Sequence, residues 1–560
     1  MTIPSREPTG ADSGAPRRAG QAERAGQAER AGQAELVIGV DLGTGGPKVA
    51  LAGARGDLIA LESASVTTRV LPGGGAEQDP DDWWQAITGC VQRLLAAHPG
   101  AADNVAAICF SSQWGGTVPV DEHGQPTHPA LIWMDARGAR YARAVTGGWP
   151  ALPGSGYNPR KLRAWVAKTG GAPTRTGQDP VGQTLWLAHE RPAAYRQARY
   201  LLDVPEYLTM RASGRVVTAG DTAVLRWCTD NRDPRHVRWD PSLAATAHID
   251  LAKLPEIVTP ATIAGTLTGE AAQDLGLKTT TQVVTGTGDT TAAALGAGAT
   301  GDYVPHLYIG TSAWLTCHMP VKKTDVFRNI ASMPSVVPGR YWVATIQNVA
   351  GKAVDWLIDN ALDQHGPARS AQALAEVNAL AAKAPPGSRG VIFTPWLNGE
   401  RTPVDDVTLR GGWLNLSLQT RREDLARAVF EGIAYNTRWM LDAVEHFTGR
   451  TGPEGLGPVR FIGGGATSRL WCQTLADVLR RPICQVAQPS AANARGAALL
   501  ASIATGAVTW AEIPGLAAIT ERFEPDDAHR DVYDQAYAAF RGLYRKNHAI
   551  YARLNRGETA

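Results

Sequence analysis

Apolar residues recur along this chain with two different periods. Leu36-Val37-Ile38-Gly39-Val40 is a short continuous apolar run that reads as a buried strand, and Asp41-Leu42-Gly43-Thr44-Gly45-Gly46-Pro47-Lys48 turns it on glycine. The pattern returns at Leu307-Tyr308-Ile309-Gly310-Thr311-Ser312. Residues 36–61 predict strand, glycine turn and strand, with Arg55-Gly56-Asp57 as hairpin punctuation. Asp79-Pro80 then predicts a helix start, and Trp84, Ile87, Val91, Leu94 and Leu95 share one helical face. A strand over 105–111 leads into Gln113-Trp114-Gly115-Gly116.

Further on, the periodicity predicts helices over 185–196 and 206–212, then a strand over 282–285 that ends at Gly286-Thr287-Gly288-Asp289. The crossing into a second domain is expected there. Strands follow over 303–309, 341–345, 390–393 and 459–462, with helices over 350–362, 422–445 and 470–479. Each half thus has strands first and helices after, which predicts an α/β fold with mixed sheets. Residues 146–182, rich in Gly, Pro and basic side chains, fit either a mobile lid or a long surface insertion.

Length sharpens this picture. A chain of 560 residues exceeds what one core usually serves, and two domains of roughly 250 residues are expected. The expected divisions are a tail over 1–35, a first domain over 36–285 and a second over 286–550. The tail repeats Ala19-Gly20-Gln21-Ala22-Glu23-Arg24 from Ala25 and has almost nothing apolar to bury, so disorder or a fraying helix is expected. A balance of 55 Lys plus Arg against 53 Asp plus Glu gives no field that would draw nucleic acid or acidic membranes, which leaves small molecules as partners. The six cysteines have no metal spacing and read as reduced, buried thiols. With no apolar stretch of bilayer length and no signal-peptide core, a cytoplasmic protein is expected. A homodimer stays open.

Two carboxylates at strand ends carry the candidate chemistry. Asp41 can hold a hydrated divalent metal beside the phosphates that the glycine turns approach. Asp289, flanked by Gly288 and Thr290, can orient a hydroxyl and take its proton, or merely cap the helix after it. Phe461-Ile462-Gly463-Gly464-Gly465-Ala466 is a strand ending in glycines against which a purine or ribose can rest. Gln113, Trp114 and Asp135 suit polyol contact, while the alternative makes Trp114 and Trp133 core aromatics and Asp135 with Arg137 a structural pair. Leu397-Asn398-Gly399-Glu400-Arg401-Thr402-Pro403 reads as a surface turn with an exposed ion pair or as a segment near the cleft.

Taken in order, these stretches resemble the FGGY carbohydrate kinases, and among them the xylulose kinases. The matching landmarks are Asp41 to Thr44 with Lys48, Glu77-Gln78-Asp79-Pro80 with Trp83-Trp84, Gln113, Trp133 with Asp135 and Arg137, and Gly288-Asp289. Gly310-Thr311-Ser312, Gly399 to Pro403 and Gly463 to Ala466, leading through Trp471 to Asp477, complete them. The resemblance implies two actin- and hexokinase-like (ribonuclease H-like) domains closing on ATP, Mg²⁺ and a sugar. It implies Asp41 at the metal and Asp289 as general base. Gly43, Thr44, Lys48, Gly310, Thr311, Ser312, Gly464, Gly465 and Ala466 would lie along the nucleotide. The sugar would meet Gln113, Trp114, Gly115, Asp135, Asp289 and Thr290.

The implied reaction carries the γ-phosphoryl group to D-xylulose. Another ketose or polyol, or a non-catalytic sensor of the same fold, is the alternative. Three departures stand out. Trp114-Gly115 replaces the Met-His of xylulose kinases, Thr290 replaces a frequent Asn, and Pro47 replaces a small polar residue.

Overall fold

The computed structural model describes residues 35–362 and 370–555; the repeat-bearing segment lies outside them but for Glu35. The first half is built on a six-stranded sheet of β1 (Leu36–Gly43), β2 (Gly46–Gly53), β3 (Leu58–Ser63), β4 (Val105–Ser112), β5 (Ile263–Thr266) and β6 (Gln282–Gly288), ordered β5-β6-β4-β1-β2-β3. β6, β4 and β1 run parallel, whereas β1, β2 and β3 form an antiparallel meander. The expected helix is α1 (Pro80–Ala97), started by Asp79, whose side chain accepts from Asp81 N–H, and by proline at its first turn. It buries Trp83, Trp84, Ile87, Val91 and Leu94 against the sheet.

The second half repeats the plan with five strands: β7 (His306–Ile309), β8 (Ala313–Thr316), β9 (Val459–Ile462), β10 (Ile483–Val486) and β11 (Ile519–Phe523), ordered β8-β7-β9-β10-β11. Its three inner strands are parallel and its two edges antiparallel. The other elements used below are α2 (Asp289–Gly296), α3 (Arg422–Thr448), α4 (Arg469–Leu479) and α5 (Ala492–Ala504). All six cysteines are buried free thiols.

Local departures from the sequence reading have local causes. The helix expected over 185–196 is two, Pro180–Glu190 and Pro192–Gln197, because Pro192 cannot donate to the turn before it. The first strand of the second half starts at His306, just past Pro305. β6 keeps residues 286–288, so the expected boundary at 285 falls inside a strand. Gly286 is there for closeness rather than for a turn: a Cβ on it would stand 2.8 Å from Phe110 O on β4.

Residues 146–182 form neither a free lid nor a mere surface insertion. They carry the helix Pro159–Thr169, whose fully buried Trp165 shares a core with Trp227 and with Met333 and Trp342 of the second half. Lys322 Nζ donates to Val166 O (2.9 Å) and Ala167 O (2.8 Å), where the helix C-terminus favours a cation. The insertion is therefore part of the packing between the halves.

The main joint is a helix crossing. α5 follows β10 of the second sheet but packs on the first, so closely that a Cβ on Gly39 would stand 2.0 Å from Ala494 O. It also crosses α2, where a Cβ on Gly296 would lie 1.7 Å from Ala492 O and one on Gly496 would lie 1.8 Å from Ala292 O. Only hydrogen fits at either position. Replacing Gly496 with Val is expected to destabilise the protein by on the order of 3 kcal/mol, because two backbones must move apart in a close-packed joint. Urea unfolding checks this, and an unshifted midpoint would show that the helices separate without cost.

Candidate active site

The C-terminal ends of the three parallel strands β6, β4 and β1 lie side by side, with Gly288 opposite Ser112 and Ser112 opposite Leu42. That edge is where ligands gather in open α/β sheets. Asp41 near the end of β1, Gln113 just past β4 and Asp289 just past β6 are therefore brought together by strand register. Asp41 pairs across the β1–β2 hairpin with Lys48 and across β1–β4 with Ser111.

Asp41 is 9 % exposed, and burial pushes its carboxyl up to about 6 against the opposing pull of Lys48 and of the polar side chains of Asn493 and Ser111. Its Oδ1 is a buried oxygen that has no hydrogen-bond partner among the described residues. Asp289 begins α2, and its Oδ1 accepts from Thr290 N–H (2.8 Å) and Thr290 Oγ1 (3.3 Å). Its side chain is only partly covered, although protein surrounds it closely enough for desolvation to push it to about 7, followed by the charge of Asp41. The two acids are thus near enough to resist ionising together, and an orphaned oxygen on one of them suits a cation between them.

The remaining expected contacts divide clearly. Gly43 ends β1 and Thr44 opens the turn into β2, but the Thr44 hydroxyl donates to Gln113 Oε1 (3.0 Å) and accepts from Trp133 Nε1 (2.9 Å). Gln113 Nε2 donates to Gln78 Oε1 (2.7 Å), which also accepts from Trp83 Nε1. Gln113 thus ties the turn to Gln78, whose own Nε2 donates to Thr44 O (2.7 Å). Asp135 is fully buried, and it accepts from Ala76 N–H, Arg137 N–H and the Arg137 guanidinium, which in turn bonds Glu77 Oε1 (2.7 Å). The structural pairing of Asp135 and Arg137 is the arrangement observed.

Trp114 stands over Gly288, its Cδ1 3.0 Å from where a Cβ there would be, and packs on Trp342 of the second half at 5.4 Å between ring centroids. Gly115 takes φ +93, and its N–H donates to Asp203.

On the second sheet, Gly310 to Ser312 turn between β7 and β8, and Gly464 to Ala466 follow the neighbouring β9. Gly310 N–H donates to Ser312 O (2.9 Å), and a Cβ on Gly310 would strike the Tyr308 hydroxyl at 2.5 Å. Gly463 has φ +88 with its Cα against Ile309 O, so the triple glycine lies on the strand that carries Gly310. Nothing stands within 4 Å of a Cβ on Gly464, which leaves that backbone face open.

The two turn sets meet through residues the sequence reading missed. Lys48 Nζ donates to Ser490 O (3.0 Å), Gly463 N–H donates to Pro489 O (2.9 Å), and Asn493 faces Asp41. The signal available was a polar pair, Ser490 and Asn493, in a stretch otherwise rich in alanine.

Glu400 was also underread. It is 1 % exposed, accepts from Asn348 N–H, Arg401 N–H and Asn436 Nδ2, and burial pushes it up to about 7. Arg401 forms no exposed ion pair with it. Its guanidinium reaches Gln178 Oε1 (3.1 Å) on the insertion of the first half.

Comparison with known proteins identifies the family. The N-terminal domain model of the FGGY family of carbohydrate kinases matches residues 36–296, and its C-terminal domain model matches 307–505. A xylulose kinase of Staphylococcus epidermidis is 28% identical over 528 residues, covering 93% of this chain and 98% of its own. A xylulose kinase of Streptomyces rubiginosus is 30% identical over 477 residues, covering 83% and 87%. The crystal structure of a gluconate kinase from Lactobacillus acidophilus superposes with a TM-score of 0.80 at 23% identity, covering 93% of this chain and all of that one. Among the described residues no helix is long and apolar enough to cross a membrane. Both halves match in order over most of the length, and the chain belongs to the FGGY family of carbohydrate kinases, as an ATP-dependent sugar kinase of two α/β domains.

Proposed function

We propose that this kinase phosphorylates the terminal hydroxyl of an open-chain ketopentose, D-xylulose, with Asp289 as the general base. One observation carries the reading: a carboxylate at a rigid strand end, held by Thr290 through one oxygen, has its pKa pushed to about 7. A base of that strength is matched to a hydroxyl at neutral pH.

In the proposed step the acceptor hydroxyl gives its proton to Asp289 as its oxygen bonds to the γ-phosphorus, and the bond from that phosphorus to the bridging oxygen breaks to release ADP. The orphaned Asp41 Oδ1 fits a divalent cation such as Mg²⁺, which when bound would neutralise charge on the phosphates. Lys48 adds a fixed positive charge at the seam between the halves. Gly310 to Ser312 and the open face at Gly464 suit the nucleotide side. Gln113 acts by holding Thr44, and Asp135 by fixing Arg137 and Ala76.

The names of the xylulose kinases above support the acceptor. A different ketose or polyol, such as ribulose, erythritol, glycerol or fuculose, is favoured by Trp114, whose ring stands over Gly288 next to the base. ATP consumption across these acceptors, with gluconate included, is expected to give the highest kcat/KM with D-xylulose. A higher value for any other acceptor replaces it.

Asp289→Ala is expected to abolish turnover and leave ATP binding within about twofold, and Asp289→Asn to lower kcat by about 10²–10⁴-fold. Activity near the wild-type level in either would remove Asp289 from the role. The pH profile has a determined sign, because the base works only when ionised. kcat/KM for the acceptor is expected to fall as pH drops through about 7. Raising Mg²⁺ is expected to move that limb to lower pH, since positive charge at Asp41 offsets the repulsion that raises Asp289. A limb that ignores Mg²⁺ would separate the two acids.

A further inference from the structure

Below Asp289 lies a buried carboxylate that the reaction does not touch. Asp221 is 2 % exposed and sits in the short turn Gly220–Ala223, outside both central sheets. Its Oδ2 accepts from Thr287 Oγ1 (2.6 Å) and Thr291 Oγ1 (2.9 Å). These threonines bracket Asp289, one at the end of β6 and the other in the first turn of α2. One carboxylate oxygen therefore ties together the two sides of the junction that carries the base. Among the described residues no cation pairs with Asp221 and its Oδ1 has no hydrogen-bond partner, and burial pushes its pKa up against the pull of Thr287, Thr291 and the Gly288 backbone. Such a group is costly to bury, which calls for an explanation beyond packing.

The same segment supports the opposite wall. Leu225 lies 3.3 Å from where a Cβ on Gly115 would stand. Arg226 Nη2 donates to Glu206 Oε2 (2.7 Å), which accepts Asp203 N–H, and Asp203 accepts the N–H groups of Gly115 and Gly116. Residues 221–226 thus brace both the turn after β4 and the turn after β6.

We infer that Asp221 is a positioning residue for phosphoryl transfer: by holding Thr287 and Thr291 it fixes the β6–α2 turn and the direction in which the Asp289 carboxylate points. The inference rests on the reading of Asp289 as the base. Small misplacement of a reacting group is expensive, about 10²-fold for 1 Å, whereas nucleotide contacts on the second sheet do not depend on this turn.

Asp221→Ala removes both carboxylate oxygens and leaves Thr287 and Thr291 without their shared acceptor. It is expected to lower kcat by about 10- to 100-fold with KM for ATP changed less than about twofold. It is also expected to speed hydrogen exchange of the amides of residues 286–292, with the rest of the first sheet unchanged. Thr287→Val is expected to reproduce both effects, and the double variant to be no worse than the single ones, since they remove one shared interaction.

Wild-type kcat and exchange in Asp221→Ala would overturn the inference. So would a kcat that falls only in step with the folded fraction while exchange rises across the whole sheet. If Asp289→Ala turns over normally, the base assignment fails by itself, and the exchange pattern over 286–292 still decides whether Asp221 holds the turn.

Discussion

The close approach of α2 and α5 governs the rest of this molecule. Asp289 is the first residue of α2, and Asn493, which faces Asp41, is in the first turn of α5. Where these helices touch, a methyl group at Gly296 or Gly496 would lie 1.7 or 1.8 Å from an oxygen of the other backbone, far inside van der Waals contact. The separation between the junction that carries Asp289 and the seam with the second sheet is thereby fixed by backbone contact, which is much stiffer than contact between side chains. Arg495 reinforces it by donating to Gly296 O (3.2 Å) at the end of α2 and to Ala487 O (2.8 Å) after β10. A guanidinium buried there without a carboxylate has its pKa lowered by desolvation, and its charge is balanced by carbonyl dipoles at a helix end.

Electrostatics inside the cleft follows from the same geometry. Strand register puts Asp41 and Asp289 at one sheet edge, burial weakens their ionisation, and Lys48 is shared with the Ser490 carbonyl. A site with two acids and one cation, one acid oxygen unpartnered, is incomplete as a set of charges. It is complemented by a ligand that brings both positive and negative charge, which is what a metal-bound nucleotide brings.

Strand-and-turn segments were legible because a short apolar run ending in glycine has few alternative conformations, so Asp41, Asp289 and the turns at Gly310 and Gly463 could be placed at strand ends from their neighbours alone. Side-chain partnering was not legible in this way. Whether Asp135 faces a ligand depends on Ala76 N–H and on Arg137, itself held by Glu77, and Glu400 depends on Asn348 and Asn436. Apart from Arg137, two residues from Asp135 and already an alternative pairing in the sequence, those partners are distant in sequence and come together only through the fold. Gly286-Thr287-Gly288 misled for a related reason: glycine marks both turns and close backbone approach, and the neighbour that decides between them is Phe110 on another strand.

The acids near this cleft can be ordered by how fully their oxygens are partnered, and that order runs parallel to the roles proposed for them. Asp135 has both oxygens on donors and a guanidinium beside it, so it is a fixed strut. Glu400 has three donors on its two oxygens and is likewise held. Asp221 has one oxygen engaged and, among the described residues, no partner on the other, which is sealed from solvent, so its influence reaches a ligand through the β6–α2 junction that Thr287, Gly288 and Thr291 form. Asp289 has one oxygen engaged and, among the described residues, no donor on the other, while its side chain is partly open. A carboxylate can take a proton from an incoming hydroxyl only through an oxygen that the protein has left without a donor, and of these four acids Asp289 alone meets that condition where a ligand can reach it.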